Sequence, residues 1–148
     1  MENTPAQSQA HLDKLVNYLM KAGKKSVAKK IFDNTLKEIK SAWHMNPVIV
    51  VETAIENASP TIMIKSKRLG WSVYQVPVEV KPVKRFFYAV RWILDAAHSK
   101  KGKPMYKKLA EELLAAYSNQ GFAVKKKEES HKMAEANKAF AYMAKYIN

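Results

Sequence analysis

The sequence predicts a mainly α-helical fold, a six-helix bundle with a protruding two-stranded β-hairpin between the third and fourth helices. Apolar residues recur at the three- and four-residue spacing of an amphipathic helix through most of the chain. Alternation of apolar and polar residues, which is typical of a strand, is concentrated between Thr61 and Val80. The 148 residues, 47% of them hydrophobic, suffice for one domain with a substantial core. We therefore expect a single domain over residues 1–148, in which residues 1–10 form a flexible N-terminal segment.

The ends of the first three helices are marked by glycine and proline. An apolar stripe from Leu12 to Met20 precedes Gly23, a residue type common at helix C-termini. A second helix is predicted from about Ser26 to Trp43, with the Trp43 ring facing inward. Asn46 followed by proline is typical of a helix start, so we predict a third helix there. The valine-rich residues that follow have strand propensity, but they do not alternate with polar residues.

The hairpin is predicted over residues 61–80, with a short basic turn that ends in Gly70 and is followed by Trp71. Pro77 cannot donate a ladder hydrogen bond, so its strand should have an open edge. An isolated hairpin is marginal in water, and a long basic one that projects from a helical body needs a partner. Lysines beside a tryptophan favour a partner with phosphates and bases, although an ordinary solvated hairpin would look similar.

Three further helices follow the hairpin. Pro82 starts the fourth, Pro104 opens the fifth and Gly121 ends it. The last helix follows the run Lys125–Lys127. Positions predicted to be buried include Phe32, Ile93, Leu109, Met133, Ala136, Phe140 and Met143.

The charge of the chain points to a polyanionic partner. Lysine and arginine total 26 against 13 acidic residues, a formal net charge of +13. A folded domain with this imbalance repels itself unless a polyanion is present. Basic residues cluster at the ends of the predicted elements, where they can converge on one surface. The clusters are Lys24-Lys25, Lys65–Arg68, Lys81–Arg85, Lys100–Lys103 and Lys125–Lys127.

Patterns typical of enzymes or metal sites are weak in this sequence. The four histidines fall in four different predicted elements, and no two have the spacing of a helical metal-ligand pair. The chain has no cysteine, no glycine-rich phosphate loop, no apolar stretch long enough to span a membrane and no signal-peptide pattern at its start. We expect a protein that is not an enzyme, with no catalytic residue, metal or cofactor, no small-molecule substrate and no membrane partner.

One alternative class is a DNA-binding architectural protein that uses a basic β-ribbon as its reader. Such proteins usually need dimer symmetry, and no symmetric apolar seam is evident. A membrane-surface protein agrees even less well with the sequence, because the apolar face of each predicted helix has other helices to pack against.

Four segments of the chain resemble a known family. LMKAGKKSVA (residues 19–28), KSKRLGWSVYQVPVEVKPVKR (65–85), RWILDAA (91–97) and AVKKKEESHKMAEANKAFA (123–141) occur here in the order of small-subunit ribosomal protein seven, of the bacterial and organellar type. The resemblance covers residues 12–141. It implies a helical bundle with an extended β-ribbon, which agrees with the elements predicted above.

The resemblance also implies a role and a set of contacts. Members of the family bind the 3′ major domain of small-subunit ribosomal RNA, help to nucleate the head and line the exit site for transfer RNA and message, beside head and platform proteins. An ion pair with Asp95 is the alternative role of Arg91, and a helix-surface amide is that of Asn137. The implied tRNA and mRNA contacts are Leu69, Gly70 and Trp71. The implied rRNA contacts are Lys24, Lys25, Lys65, Lys67, Arg68, Lys84, Arg85, Arg91, Lys125, Lys126, Lys127, Asn137 and Lys138.

Three departures from the family pattern affect these expectations. The usual arginine-rich N-terminal segment is replaced by neutral ENTPAQSQ, the Gly-Gly at the ribbon turn is Gly70-Trp71, and the tail after residue 141 differs. Of the 26 basic residues only Arg68, Arg85 and Arg91 are arginines, which leaves 23 lysines. Lysine excess favours an AT-rich genome, hence an organelle such as the mitochondrion, with a bacterium or plastid as alternatives.

Overall fold

A computed structural model describes residues 5–43 and 46–147. Within them the chain is mainly helical, and a two-stranded antiparallel hairpin lies between the third and fourth helices, as predicted. A C-terminal 3-10 segment, residues Lys138–Tyr146, follows the last α-helix. The remaining elements are α1 (Pro5–Leu19), α2 (Lys25–Trp43), α3 (Pro47–Ala58), β1 (Ile62–Leu69), β2 (Ser72–Glu79), α4 (Pro82–Ser99), α5 (Met105–Tyr117) and α6 (Phe122–Ala136).

Helix α1 begins earlier than the sequence suggests. It starts at Pro5, so residues 5–10 of the segment expected to be flexible are helical. Proline is favoured in the first turn of a helix. Gln9 then supports the helix by donating a 3.0 Å hydrogen bond from Nε2 to Asp13 Oδ1, one turn further on.

The core lies where α5 packs against α2, α3 and α4. Phe32, Ile93 and Leu109 are buried there, as predicted. Alanines such as Ala54 and Ala97 are fully buried between helices, which allows the backbones to approach closely. Trp43 departs from expectation, because its side chain is 41% exposed and meets Tyr117 edge-on at the margin of the core.

Helix α3 forms despite its β-branched residues. The Asn46 side chain accepts a 3.1 Å hydrogen bond from the Val48 N–H, and Pro47 occupies the first helical position. Val50 and Val51 are fully buried. A good cap and burial of these side chains therefore outweigh their strand propensity.

The end of α6 corrects the prediction of a continuous last helix. The α-helix stops at Ala136, where Asn137 Nδ2 donates a 2.9 Å hydrogen bond to the Met133 carbonyl. The tighter 3-10 winding then turns different residues toward the body. Met143 is buried as predicted, but Ala136 and Met133 are exposed. Phe140 is only half-buried and lies against Tyr74 of β2, with ring centroids 5.4 Å apart, instead of entering the core.

The hairpin is rooted on the body at its base and free at its tip. Its strands pair from Ile62 with Glu79 to Leu69 with Ser72. Positive φ falls on Gly70 alone in the two-residue turn, as in a type II′ hairpin, so Trp71 is accommodated without strain. The base packs on α6 and on the C-terminal 3-10 segment. No helix within the described residues has the length and apolarity to cross a membrane.

Candidate nucleic-acid interface

The ribbon carries cations on both of its faces. Register pairs Lys65 with Val76 and Lys67 with Tyr74, so these lysines share the face of β2 that packs on the body. Arg68 lies on the opposite face, and its Nε donates a 3.2 Å hydrogen bond to the Gly70 carbonyl. The three predicted contacts are therefore on one arm without sharing a face. A ligand that touches all three must wrap around the strand.

The tip of the ribbon presents an unsupported aromatic ring. Trp71 is 96% exposed and Leu69 is 40% exposed. Leaving an indole in water is unfavourable, since its large apolar surface remains hydrated. Trp71 lies within the two-residue turn, not beyond it as the sequence predicts, and its exposed ring is free of contacts with the helical body.

The root of the ribbon is held by side chains from α4 and α6. Arg85 Nε donates to the Pro60 carbonyl at 3.3 Å, and its Nη2 donates to Glu56 Oε1 at 3.2 Å. The Thr61 N–H donates a 3.1 Å hydrogen bond to His131 Nε2. Arg85, predicted to be an RNA contact, therefore makes bonds inside the protein that join α3, α4 and the start of the ribbon.

The surroundings of the root histidine disfavour its protonated form. Burial, and then the positive charges of Lys127 and Arg85, lower the pKa of His131 below its ordinary value. An unprotonated Nε2 is also what the Thr61 N–H requires as an acceptor. Since Lys127 and Arg85 both act on His131, two of the predicted contacts come together beside the ribbon.

Helix α4 presents cations interleaved with aromatic rings. Lys84 Nζ lies 5.4 Å from the centroid of the Phe87 ring. Arg91 Nε lies 3.5 Å from Asp95 Oδ1 one turn away, so the ion pair that the sequence leaves open is present. A connected row of rings passes through this face at centroid separations of 5.5–5.8 Å. The row consists of Tyr18, Phe87, Tyr88 and Trp92.

Sequence reasoning missed these aromatic residues as candidate contacts. Phe87, Tyr88 and Trp92 follow Lys84 at helical spacing, a signal that was present in the sequence. Tyr18 comes from α1, and only the packing of α1 on α4 brings it to the row.

The turn between α1 and α2 exposes Lys24 and Lys25. Gly23 has φ of +72° and Ala22 has φ of +51°, which folds the chain back sharply. Both lysines are exposed, and no carboxylate in the described ranges lies within ion-pair distance of either one. Both side chains are therefore available to an external anion.

The start of α6 is fixed from within the protein, which positions the lysine run behind it. Glu112 is 2% exposed, and its Oε1 accepts a 3.1 Å hydrogen bond from the Ala123 N–H. Lys126 Nζ lies 5.4 Å from the Phe122 ring centroid and 3.4 Å from Glu129 Oε2. Lys125 is fully on the exposed side of the first turn.

The other predicted basic residues are partly neutralised. Lys138 Nζ lies 2.9 Å from Glu135 Oε1, and the Asn137 amide is bonded to the end of α6. Lys103 donates to Glu111, and Lys100 lies 3.6 Å from both Glu111 and Glu112. Because Lys100 and Lys103 already form ion pairs with carboxylates, the loop at residues 100–103 is a weaker phosphate site than the sequence suggests.

One electrostatic feature is shared by four helices. α2, α4, α5 and α6 have no acidic residue in their first turns, where a carboxylate would be stabilising. They carry cations instead, against the positive end of each helix dipole. Backbone N–H groups and ammonium groups at the same place form a natural phosphate site. The cations are Lys25, Lys84, Arg85, Lys107, Lys108 and Lys125.

A helical body with cationic helix starts and a basic, aromatic-tipped ribbon is typical of nucleic-acid-binding proteins. No group of side chains in the described residues has the composition of a metal site. The model of the family "Ribosomal protein S7p/S5e" matches residues 1–138, and the chain belongs to this family.

Curated relatives agree in name and in extent. The "Small ribosomal subunit protein uS7" of Thermotoga neapolitana is 46% identical over 93% of this chain and 89% of the relative. The protein of the same name from Alkalilimnicola ehrlichii is 48% identical over 93% and 88%. The organellar "Small ribosomal subunit protein uS7c" of Nephroselmis olivacea is 41% identical over 97% and 92%. The family is one of structural ribosomal proteins and not of enzymes, so the chain has a structural role in the small ribosomal subunit.

Proposed function

We propose that this protein binds the 3′ major domain of small-subunit ribosomal RNA, helps to nucleate assembly of the head and lines the exit site for transfer RNA and message. The observation that carries the proposal is the placement of cations at the starts of α2, α4 and α6. In the free protein these charges oppose the helix dipoles. The buried Glu112 carboxylate offsets part of this repulsion at α6, and phosphates would relieve the rest. Membership of a small-subunit family supports ribosomal RNA as the source of the phosphates.

The proposed contacts divide into three groups. The turn lysines Lys24 and Lys25 and the run Lys125–Lys127 bind phosphates at helix starts. The α4 face, which includes Lys84 and Arg91, adds rings on which bases can stack. Lys65, Lys67, Arg68, Arg85, Asn137 and Lys138 complete the proposed rRNA set.

The ribbon tip is proposed to serve the exit site. Leu69, Gly70 and Trp71 lie at the end of the arm, away from the helical core, and the Trp71 ring is almost fully exposed. Stacking on an aromatic ring tolerates any base, which suits a site that meets many transfer RNAs and messages. Head and platform proteins are the proposed protein neighbours.

For the compartment we propose an organelle, with the mitochondrion first, on the basis of the lysine excess. Bacterial and plastid ribosomes are the alternatives, and the relatives include both bacterial and organellar proteins. Mass spectrometry of small subunits from gradient-purified ribosomes of the source cell and of its organelles would decide between them.

A salt titration tests the RNA proposal. Filter binding would compare a transcript of the 3′ major domain with duplex DNA of equal length at matched ionic strength. We expect the protein to prefer the transcript, with log affinity falling by roughly 0.7–0.9 per contacted phosphate for each decade of salt. A preference for the duplex would instead indicate the architectural DNA-binding class.

A charge-matched pair of variants locates the contact. Lys24→Gln with Lys25→Gln should weaken RNA binding and reduce the salt slope. Lys29→Gln with Lys37→Gln removes the same charge from the exposed side of α2. This pair should change the RNA affinity and the salt slope much less. Equal effects of the two pairs would mean that binding follows net charge and not the helix start.

A further inference from the structure

A small cavity lies where the α1–α2 turn meets the end of α4 and the start of α5. Its volume is about 260 Å³. The residues around it are of two kinds, an apolar wall and a set of basic side chains. The wall consists of Leu19, Val27, Ala28, Ile31 and Met105, and the basic set consists of Lys21, Lys24, His98 and Lys108.

Positive charge converges on this cavity from the α1–α2 turn and from α5. Burial, followed by the charges of Lys21 and Lys108, lowers the pKa of His98. Asp95 acts on His98 in the opposite direction, but its carboxylate is paired with Arg91 at 3.5 Å. Like charges held together cost free energy unless an anion joins them. The cavity therefore has the electrostatics of an anion site.

Hydrogen bonds fix one side chain of this basic set and the backbone that carries two others. Lys108 Nζ donates a 3.2 Å hydrogen bond to the Lys100 carbonyl, which fixes it at the start of α5. The backbone N–H of Lys24 donates to the Lys21 carbonyl at 3.1 Å, which fixes the backbone of the turn between α1 and α2. The Lys108 side chain, already fixed in this way, loses little entropy on binding a ligand.

The combination selects one kind of ligand. A phosphate alone would make no contact with the apolar wall. An apolar side chain would give the lysines no negative charge to pair with. An unpaired nucleotide has both parts, a flat ring system and flanking phosphates. The volume is below the range of about 300–1,000 Å³ of drug-sized pockets, which suits a single base.

We propose that this cavity receives one unpaired nucleotide of the bound ribosomal RNA, with its base against Val27, Ile31 and Met105 and its phosphates near Lys21, Lys24 and Lys108. The inference rests on the proposed RNA-binding function and adds a defined site to it. Of these residues, Lys24 alone belongs to the rRNA contacts that the sequence predicts.

A matched pair of apolar-to-polar variants tests the base contact. Val27 is 51% exposed and Ile49, on α3 away from the cavity, is 54% exposed. Val27→Asn should weaken binding of the 3′ major domain transcript about fivefold or more, since base contacts are worth about 1–3 kcal/mol. Ile49→Asn should leave binding within about twofold. Melting curves by circular dichroism verify that both variants are folded, and Met105→Gln is a second variant of the wall.

A second pair tests the phosphate contact. Lys21→Gln with Lys108→Gln should reduce the log–log salt slope by roughly 1.4–1.8, as expected for two phosphates. Lys29→Gln with Lys37→Gln should leave the slope unchanged. Equal slopes for the two pairs would contradict the phosphate contact.

Photo-cross-linking identifies the nucleotide directly. With p-benzoylphenylalanine at position 27, irradiation of the complex should give one reverse-transcription stop, at an unpaired nucleotide, that is absent with the same group at position 49. If the wild-type protein shows no salt-dependent preference for this RNA, the proposed function fails and the site with it. If the wild type binds but Val27→Asn matches Ile49→Asn and no specific stop appears, only the nucleotide site is wrong.

Discussion

The backbone N–H of Ala123 donates a 3.1 Å hydrogen bond to Oε1 of Glu112, a carboxylate buried beneath the start of α6. The negative charge lies at the positive end of the α6 dipole, in a helix whose own first turn contains no acidic residue. Lys100 Nζ, 3.6 Å from the same carboxylate, supplies a second positive neighbour. A single side chain of α5 thus fixes where α6 begins, and with it the position of Lys125–Lys127.

Replacing Glu112 should therefore destabilise the protein. Glu112→Ala leaves the Ala123 N–H buried without its acceptor, and we expect a loss of about 1–3 kcal/mol in the free energy of unfolding. Urea unfolding measures it. Glu111→Ala is the matched control, because the ion pairs of Glu111 with Lys100 and Lys103 are more exposed to solvent. This substitution should lower the free energy of unfolding by about 0–1 kcal/mol. An equal loss in both variants would refute a special role for the buried carboxylate.

Gly121→Ala tests the close approach at the same place. Gly121 has φ of +93°, and an added Cβ would lie 3.0 Å from both Ala115 Cβ and Glu112 Oε1. Gly102, at φ of +82°, has open space around its missing Cβ. Gly102→Ala should thus show the backbone strain alone, about 1 kcal/mol, and Gly121→Ala should cost more. Thermal melts measure both losses. Equal melting temperatures would show that Ala115 and Glu112 move slightly to accommodate the added Cβ at position 121.

Acidification should loosen the root of the ribbon. The folded-state pKa of His131 lies below its ordinary value of 6.5, so the unfolded chain binds the proton more readily. The contribution of His131 to the free energy of unfolding is therefore fully present above about pH 6.5. It is lost as the pH falls through the pKa of the folded state. Protonated Nε2 can no longer accept from the Thr61 N–H.

The measurement is the free energy of unfolding at pH 7.5 and pH 5 for the wild type and for His131→Gln. The difference between the two pH values should be smaller in the variant. His98, whose pKa is also lowered, contributes a separate slope that both proteins share. An unchanged pH dependence in His131→Gln would mean that the histidine does not titrate with folding.

Core and surface should separate cleanly in mutagenesis. Leu109 is fully buried, and Leu109→Ala is expected to cost about 2–5 kcal/mol. Lys126→Ala with Lys127→Ala should barely move the melting temperature but weaken binding to the 3′ major domain. Calorimetry and filter binding on the same samples test both halves, and a comparable loss of stability from the lysine pair would contradict the division of faces.

The ribbon tip should be dispensable for folding. Deleting residues 67–72 removes the turn and the exposed Trp71 ring but keeps Tyr74, which lies against Phe140, and the buried Val76. Melting temperature and incorporation into subunits should stay close to the wild type, while occupancy or frame control at the exit site falls. Trp71→Ala is the milder companion. An unfolded deletion variant would show that the arm belongs to the core.

The sequence predicts the parts of this fold that depend on local chemistry. Pro82 and Asn46 mark helix starts, and the alternation around Gly70 places the ribbon, because proline, caps and period-two patterns act within a few residues. The prediction that Phe140 is buried in the core is wrong. It arises because the position of Phe140 continues the apolar stripe of α6. After Ala136 the winding changes to 3-10, and Phe140 meets Tyr74, a residue far away in the sequence, so no local pattern predicts this contact.

The candidate site shows the same limit. The basic clusters are visible in the sequence, but the bonds of Arg85 to Pro60 and Glu56 depend on how three elements meet. The pairing of Arg91 with Asp95 was open because a helical spacing permits an ion pair without requiring one. The cavity beside His98 combines residues of four helices, and no local pattern marks it.

The contact between Phe140 and Tyr74 has a consequence for the order of events during synthesis. The ribbon ends at Glu79, whereas the segment that supports it spans Lys138–Tyr146, so the arm leaves the translating ribosome well before its support exists. In that interval the apolar face around Val76, which is buried in the folded protein, is open to other nascent chains. The arm is thus made early but covered late, and burial of its apolar face depends on residues near the C-terminus.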